Sequence, residues 1–594
     1  MKTIKQILMT AVALLLSLSV NAHDFEVDGI FYNITSETTV EVANDGANKY
    51  SGNITIPETV SYDEKSYSVT GIGNDAFQYC VGLTGVEIPG SVTSIGDYAF
   101  QNCIELKSIE IPGSVTSIGK YAFTFCMKLT EIRISNSVTS IGEGSFAGCF
   151  GIKSLTVDSG NAVYDSRDNC NAVIETASNT LISGCDISVI PNSVTTIGNN
   201  AFSCCGFTSI EIPSSVTTIG DYAFDICLNL KSVVIPASVT HIGNKVFNGN
   251  YAIESVIVDS DNTVYDSRDN CNALIETASN TLILGCKNTV IPNSITTIGK
   301  MAFGACNFAS ITIPNSVTTI DDMAFTASTL TSITIPGSVT SMGEHVFYDC
   351  PYLESVTFSD GATVIGYAAF AYCGALTDVE IPASVKKIEE SAFEGCTALT
   401  DITLPLGVTT IEDWVFYECS GLKSIIIPES VTSMGCGIFV SCTSLTSVTL
   451  PSGITNIGEY TFYECTELAS ICLMNPVPAT VESENFTDSH YANTTVYVPQ
   501  GSLAAYKAAD VWKDFANIKE FNTTQIDNVD AGDISITATA NGIALLNAKG
   551  KAVTVHTPNG TRVASINSYA GEEINLEKGV YIVRTGDITI KVRI

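Results

Sequence analysis

Cationic side chains are scarce in this chain. Its 594 residues hold 28 Lys and Arg against 62 Asp and Glu, a formal charge of −34. So acidic a chain repels phosphate backbones and anionic lipid, and nucleic acid is excluded as an expected partner. Histidine is scarcer still: His23, His241, His345, His490 and His556 stand alone, with no two at metal-ligand spacing. No G-x-S-x-G elbow, C-x-x-C pair or phosphate-binding glycine loop with its lysine accompanies them. The expectation is a protein that is not an enzyme, with no catalytic residue, no metal and no cofactor.

Long apolar runs are nearly absent too. One, Ile7 to Val20, follows Lys2 and Lys5 and precedes the small residues Val20-Asn21-Ala22. It is too short to span a bilayer and reads as the apolar core of a signal peptide over residues 1–22. No later run is long enough for a transmembrane helix. The expected product is exported, either secreted or held at the outer cell surface.

What the chain has in abundance is one text. IPGSVTSIGDYAFQNC (Ile88–Cys103) returns as IPGSVTSIGKYAFTFC (Ile111–Cys126) and ISNSVTSIGEGSFAGC (Ile134–Cys149), and again as IPASVKKIEESAFEGC (Ile381–Cys396) and LPSGITNIGEYTFYEC (Leu450–Cys465). Phe marks the period at 77, 100, 123, 146, 202, 224, 247, 303, 325, 347, 370, 393, 416, 439 and 462. Most steps are 23 residues, three are 22, and two (146 to 202, 247 to 303) are 56. Such a period is the signature of leucine-rich repeats, in which each turn buries its apolar face only against its neighbours. The expected fold is a repeat solenoid, a leucine-rich repeat with turns of about 22–23 residues forming a parallel β-sheet over residues 76–472.

Within a turn, Ile109 and Ile111 share one face of Leu106–Pro112 and Ser108 and Glu110 the other, so this piece reads as a strand that Pro112 closes. Ser114–Gly119 reads as a second extended piece and Tyr121–Cys126 as a helical or 3₁₀ turn that sinks Phe123 and Cys126 into the core. Thirteen of the 20 cysteines follow the repeat Phe by three residues (80, 103, 126, 149, 205, 227, 306, 350, 373, 396, 419, 442 and 465). One small apolar side chain per turn reads as an interior ladder of buried free thiols. Cys204 is expected to be exposed beside the ladder.

The two long steps hold one insertion written twice, at about 158–188 and 259–289: VYDSRDNCNAVIETASNTLISGC and VYDSRDNCNALIETASNTLILGC. Each reads as a hairpin around Thr-Ala-Ser-Asn, which sets Cys170 opposite Cys185 and Cys271 opposite Cys286 as possible disulfides. The Asp and Asn around Asp165 and Asp266 would suit calcium, but turn chemistry accounts for them equally well.

Both ends read as caps. Residues 23–75 alternate as irregular strands, and residues 473–521 offer a strand (Thr494–Val498) and a short helix with Ser502 as N-cap. There Leu503, Tyr506, Val511, Trp512 and Phe515 are placed to cover the open core. Residues 522–533 are polar and read as a linker. Residues 534–594 show short alternating strands between Asn-Gly and Lys-Gly turns, a small all-β C-terminal sandwich domain.

The unit IPxSVTxIGxxAFxxCxxLxSIxIP resembles the leucine-rich repeats of the BspA-like bacterial surface proteins, over about residues 25–521. That resemblance implies the fold and a role in adhesion to host matrix proteins and other cells; it carries no catalytic residues. Pro558–Val563, Leu576–Val583 and Lys591–Ile594 resemble the C-terminal sorting domain of the type IX (Por) secretion system of the Bacteroidota, which implies passage through that machinery. The candidate binding surface is the outward sheet face: Ser108, Glu110, Glu131, Arg133, Ser209, Glu211, Ser310, Thr312, Ser332, Thr334, Ser355, Thr357, Asp378, Glu380, Asp401, Thr403, Ser447 and Thr449. Such a row also follows simply from the liking of Thr for strands. The expected function is binding or adhesion, with a host matrix or cell-surface protein as partner; capture of a glycan and a structural scaffold without a ligand are the alternatives.

Overall fold

The structure is a computed structural model, and it describes residues 23–44, 46 and 50–521 with separate segments between 535 and 593. The expected signal peptide and linker lie outside the described residues. The chain divides into two compact units: one runs to Tyr265 without 254–256, and the other comprises 254–256 and everything from Asp266 onward.

In the first unit each turn contributes to three stacked sides. Leucine-zone strands such as Glu131–Ile134 and Ser154–Val157 pair in parallel, Ile132 against Leu155. The SVT segments form a second parallel ladder of two-residue strands, in which Ile72, Ile95, Ile118 and Ile141 follow one another in register. Their Val and Ile side chains point inward, Ile72, Ile95 and Ile118 buried and Ile141 half-buried, as the two-residue alternation requires.

The third side departs from expectation. Tyr121–Cys126 is neither α nor 3₁₀ helix but a run of tight turns in which Tyr121 (φ 52°) and Phe125 (φ 60°) are left-handed. The same two places, two residues before and two after the repeat Phe, are left-handed at Tyr98 and Asn102 and at Tyr222 and Ile226. Left-handed backbone costs a non-glycine residue on the order of 1 kcal/mol or more. The alternation offsets that cost by pointing every second N–H at the next turn: Tyr98, Phe100 and Asn102 donate to the carbonyls of Lys120, Ala122 and Thr124 at 2.9, 2.7 and 2.8 Å.

Inside this side the Phe rings stack, Phe77 on Phe100 at 5.0 Å and Phe100 on Phe123 at 5.1 Å, within 7° of parallel. The cysteines do more than fill space. In consecutive turns such as these the Phe carbonyl already accepts the N–H of the Cys three residues on, and its second lone pair takes the thiol of the following turn; after the insertion Cys306 turns to the Gly285 oxygen instead. Cys103 Sγ reaches the Phe77 oxygen at 3.0 Å, Cys126 that of Phe100 at 3.2 Å and Cys149 that of Phe123 at 3.0 Å. Where the repeat has Asn250 in place of Cys, its Nδ2 donates to the Phe224 oxygen at 2.8 Å. The position asks for a small buried donor.

The second unit repeats this architecture. Its Phe stack runs from Phe303 to Phe462 at 5.1–6.1 Å and passes to Phe486 at 5.6 Å. Phe486, Tyr506, Trp512 and Phe515 close the end of the core. The indole of Trp512 donates to the Ala479 oxygen and the Tyr506 hydroxyl to that of Asn475, both at 2.7 Å. Ser502 does not cap the helix Leu503–Ala508: its hydroxyl donates to Pro499, and Glu520 takes the amides of Gly501 and Leu503 instead. The C-terminal segments form two antiparallel sheets, Ser535–Ala538 with Gly542–Leu546 and Ile574–Asn575, and Arg562–Ile566 with Val553–His556, Val580–Thr585 and Ile588–Arg593.

The inserted hairpins join the short-strand ladder, Thr180–Ser183 running parallel to Thr196–Ile197. All 20 cysteines are free thiols, the four hairpin cysteines included. Cys170 Sγ turns to the Ala172 oxygen and Cys185 Sγ to that of Asn171, so the bridge expected between them is not formed. Burial pushes the Cys170 and Cys271 thiols up to about 11. Cys204, expected exposed, is buried as well. Asp165 and Asp266, the oxygens that would suit calcium, are held bidentately by Arg167 and Arg268.

Glycine in the recurrent Ile-Gly is required by close approach: a Cβ on Gly119 would strike the Asp97 amide of the preceding turn. Gly113 has nothing within 4 Å of that position. Gly119→Ala is therefore expected to lower stability by about 2–4 kcal/mol, and Gly113→Ala to stay within about 0.5 kcal/mol of wild type, in chemical denaturation.

Candidate functional site

The outward strand face is continuous only in pieces. In the first unit Ser108, Glu110, Glu131 and Arg133 are exposed, and Arg133 Nε pairs with Asp158 at 2.6 Å. Ser209 and Glu211 are exposed but belong to no strand. Their turn has Cys205-Gly-Phe207-Thr-Ser209, one residue fewer than Cys103–Ser108, and Phe207 packs edge-on against Phe202 at 5.8 Å where Leu usually sits. The second unit repeats the deletion before Ser310 and Thr312, which are likewise exposed outside any strand.

Three strands of the second unit then bring candidates together. Ser332, Ser355 and Asp378 stand in one row, and Thr334, Thr357 and Glu380 in the next. Ser332, Thr334, Asp378 and Glu380 are exposed, and Ser355 and Thr357 half-buried. Asp401 and Thr403 follow without strand pairing, Asp401 exposed and Thr403 half-buried. The sheet resumes at Ser424–Ile426, beside Ser447 and Thr449.

At that gap the C-terminal domain meets the face. Arg584 pairs with Asp401, in a recess lined by Ile402–Leu404, Ser424–Ile426 and Ile582. Its side chain is 14% exposed. Burial holds the guanidinium below its ordinary range; Asp401 works against that, Arg562 adds to it and Asp378 opposes it. Sequence reasoning missed this contact, since nothing in the repeat or in VYIVRT connects two segments 183 residues apart. It also passed over Val234 and Ile257, outward positions that are both 51% exposed, although the apolar letters in SVVI and SVIV would have marked them.

The chain matches the family model described as a BspA type leucine-rich repeat region (6 copies), over residues 49–172, 178–276, 283–400 and 386–501. It belongs to that family. Among solved structures, a leucine-rich repeat protein from Eubacterium ventriosum is 22% identical and covers 70% of this chain and 92% of its own, with a TM-score of 0.45. A leucine-rich cell surface protein from Faecalibacterium prausnitzii is 27% identical over 76% and 94% (TM-score 0.33). A leucine-rich repeat protein from Bacteroides ovatus is 26% identical over 80% and 100% (TM-score 0.28). No curated protein matches. Among the described residues no helix is long and apolar enough to cross a membrane.

Removing the carboxylate at Asp401 leaves a largely buried guanidinium without its partner. Asp401→Ala is expected to speed amide exchange at Ile402–Leu404 and Ser424–Ile426 roughly tenfold or more, with Ser332–Ile335 unchanged, by hydrogen-exchange mass spectrometry.

Proposed function

We propose that the protein acts by binding, not catalysis, at a bacterial cell surface, presenting the registered face around Ser332–Glu380 to proteins of a host or of neighbouring cells. The observation that carries this reading is the pair of rows Ser332/Ser355/Asp378 and Thr334/Thr357/Glu380 on three adjacent strands. Such rows repeat at about 4.8 Å and offer hydroxyls that end in two carboxylates. Short side chains lose little rotamer freedom on docking, so many modest contacts can add to a useful affinity. Membership of the BspA-type family supports a surface role.

Export belongs to the same proposal. The apolar Ile7–Val20 run serves as a signal peptide, and residues 534–594 address the chain to type IX secretion machinery. The resemblance of LEKGVYIV and the closing KVRI to such sorting tails supports this.

The test is a screen of the full chain from His23 onward against extracellular-matrix proteins and an array of neutral glycans. Saturable binding to a protein that Asp378→Lys with Glu380→Lys weakens about tenfold or more is the expected result. Silence on both panels, or binding indifferent to those changes, would remove this face as the site.

A further inference from the structure

The turn edge of the second unit carries a surface of different chemistry from the strand face. Six successive segments of it, 343–352, 366–375, 389–398, 412–421, 435–444 and 458–467, hold eleven carboxylates and not one lysine or arginine; of the two segments before them, 299–308 and 321–330, the first carries Lys300, which pairs with Asp322 of the second at 3.2 Å. Two of these carboxylates, Glu389 and Glu412, are met by Lys387 from the neighbouring ladder at 3.1 and 2.8 Å.

Aromatic rings sit among the acids. A Cβ on Gly395 would come within 2.8 Å of Tyr372 Cδ1, and one on Gly437 would meet the ring of Trp414, so each ring lies over the glycine of the next turn. Both glycines are left-handed, at φ +67° and +63°. Tyr348 packs edge-on against Tyr372 at 5.4 Å and Tyr417 against Trp414 at 5.6 Å. The Tyr372 hydroxyl donates to Glu394 at 2.5 Å, and Tyr372 is 39% exposed.

The first unit shows what such a place accepts. There Tyr222 stands two residues before its Phe, as Trp414 does, and the residue one turn on is Lys245, whose Nζ lies 5.8 Å over the Tyr222 ring. One turn on from Trp414 the residue is Gly437, against which the ring itself rests, so a cation can reach Trp414 only from the ring's exposed side, where the six segments offer no lysine or arginine. A ring face flanked by carboxylates attracts cations through its quadrupole and the acids together.

We propose that this edge binds a cationic protein segment, its lysine or arginine side chains seated on Trp414 and Tyr372 and paired with Glu394 and Glu418. The site is separate from the strand face, and either can fail without the other.

A lysine decapeptide added to the full chain at about 150 mM salt, which screens charges beyond about 8 Å, is the probe. Binding is read from the anisotropy of a dye on the peptide, which serves the variants that lack Trp414; in the wild type, quenching of Trp414, half-exposed where Trp512 is buried, adds a local readout. Trp414→Ala and Tyr372→Ala, which leave the charge untouched, are each expected to weaken binding about tenfold, and Trp414→Phe much less. Glu394→Gln with Glu418→Gln should weaken it similarly, whereas Glu110→Gln with Glu131→Gln in the first unit should change it less than about twofold. Peptide affinity that survives both ring deletions in folded protein would overturn the proposal, leaving only general attraction to net charge. So would cellohexaose binding that the same ring deletions abolish while the peptide does not bind, which would make the edge a glycan platform.

Discussion

Everything in both units depends on one turn-to-turn contact, the seating of each repeat Phe and its cysteine on the turn before. The ring stacks on a ring, and the backbone around it donates three amides to the next turn. The leftover lone pair of the Phe carbonyl is buried and takes a thiol. That carbonyl already has one partner, so the thiol adds a second, weaker bond, worth about 1 kcal/mol or less, and the gain recurs along the ladder. Cysteine suits the place because it is small, apolar and still a weak donor. Asn250 shows that a donor other than sulfur serves there, although Ser328 at the same place turns its hydroxyl to Cys350 Sγ instead. Where the stack ends, the cap answers the same need. His490 accepts the Thr487 amide at Nδ1, which puts its proton on Nε2, and that nitrogen donates to the Cys465 oxygen at 2.8 Å.

This contact also fixes how surfaces are made. Because successive turns lie in register, any outward position becomes a row, and the character of a row changes with one letter per repeat. The strand side yields hydroxyls ending in Asp378 and Glu380. The turn side yields rings and carboxylates, because left-handed backbone two residues from the Phe turns those side chains outward. Interruptions have equally local causes. A residue lost between Cys and strand removes the pairing at Ser209 and Ser310, and Arg584 of the C-terminal domain meets Asp401 where the strand ladder breaks.

Much of this was legible in the sequence. The Phe period, the inward Val and Ile of SVTSIG and the strand in LKSIEIP all express periodicity, and periodicity survives in letters. The left-handed positions were not legible, because Tyr98, Asn102, Phe125 and Ile226 share no propensity for that conformation; stacking imposes it. The cysteines were legible as small buried residues but not as donors, since a thiol and a methyl occupy the same kind of hole. Ser502 looked like an N-cap, yet Glu520, eighteen residues on, supplies the oxygen. The outward rows of the candidate site could be listed from alternation alone. Which of them stand side by side depended on register, and that the C-terminal domain meets Asp401 depended on tertiary contact.

The measurement that tests the account most directly is the infrared S–H stretching band of the native protein, compared with that of the unfolded chain. If the ladder thiols donate to the Phe carbonyls, the native band is shifted to lower frequency and strengthened, and Cys126→Ala removes intensity from that shifted part. A native band at the frequency of non-bonded thiols, or its loss through disulfide formation, would contradict the account at its base.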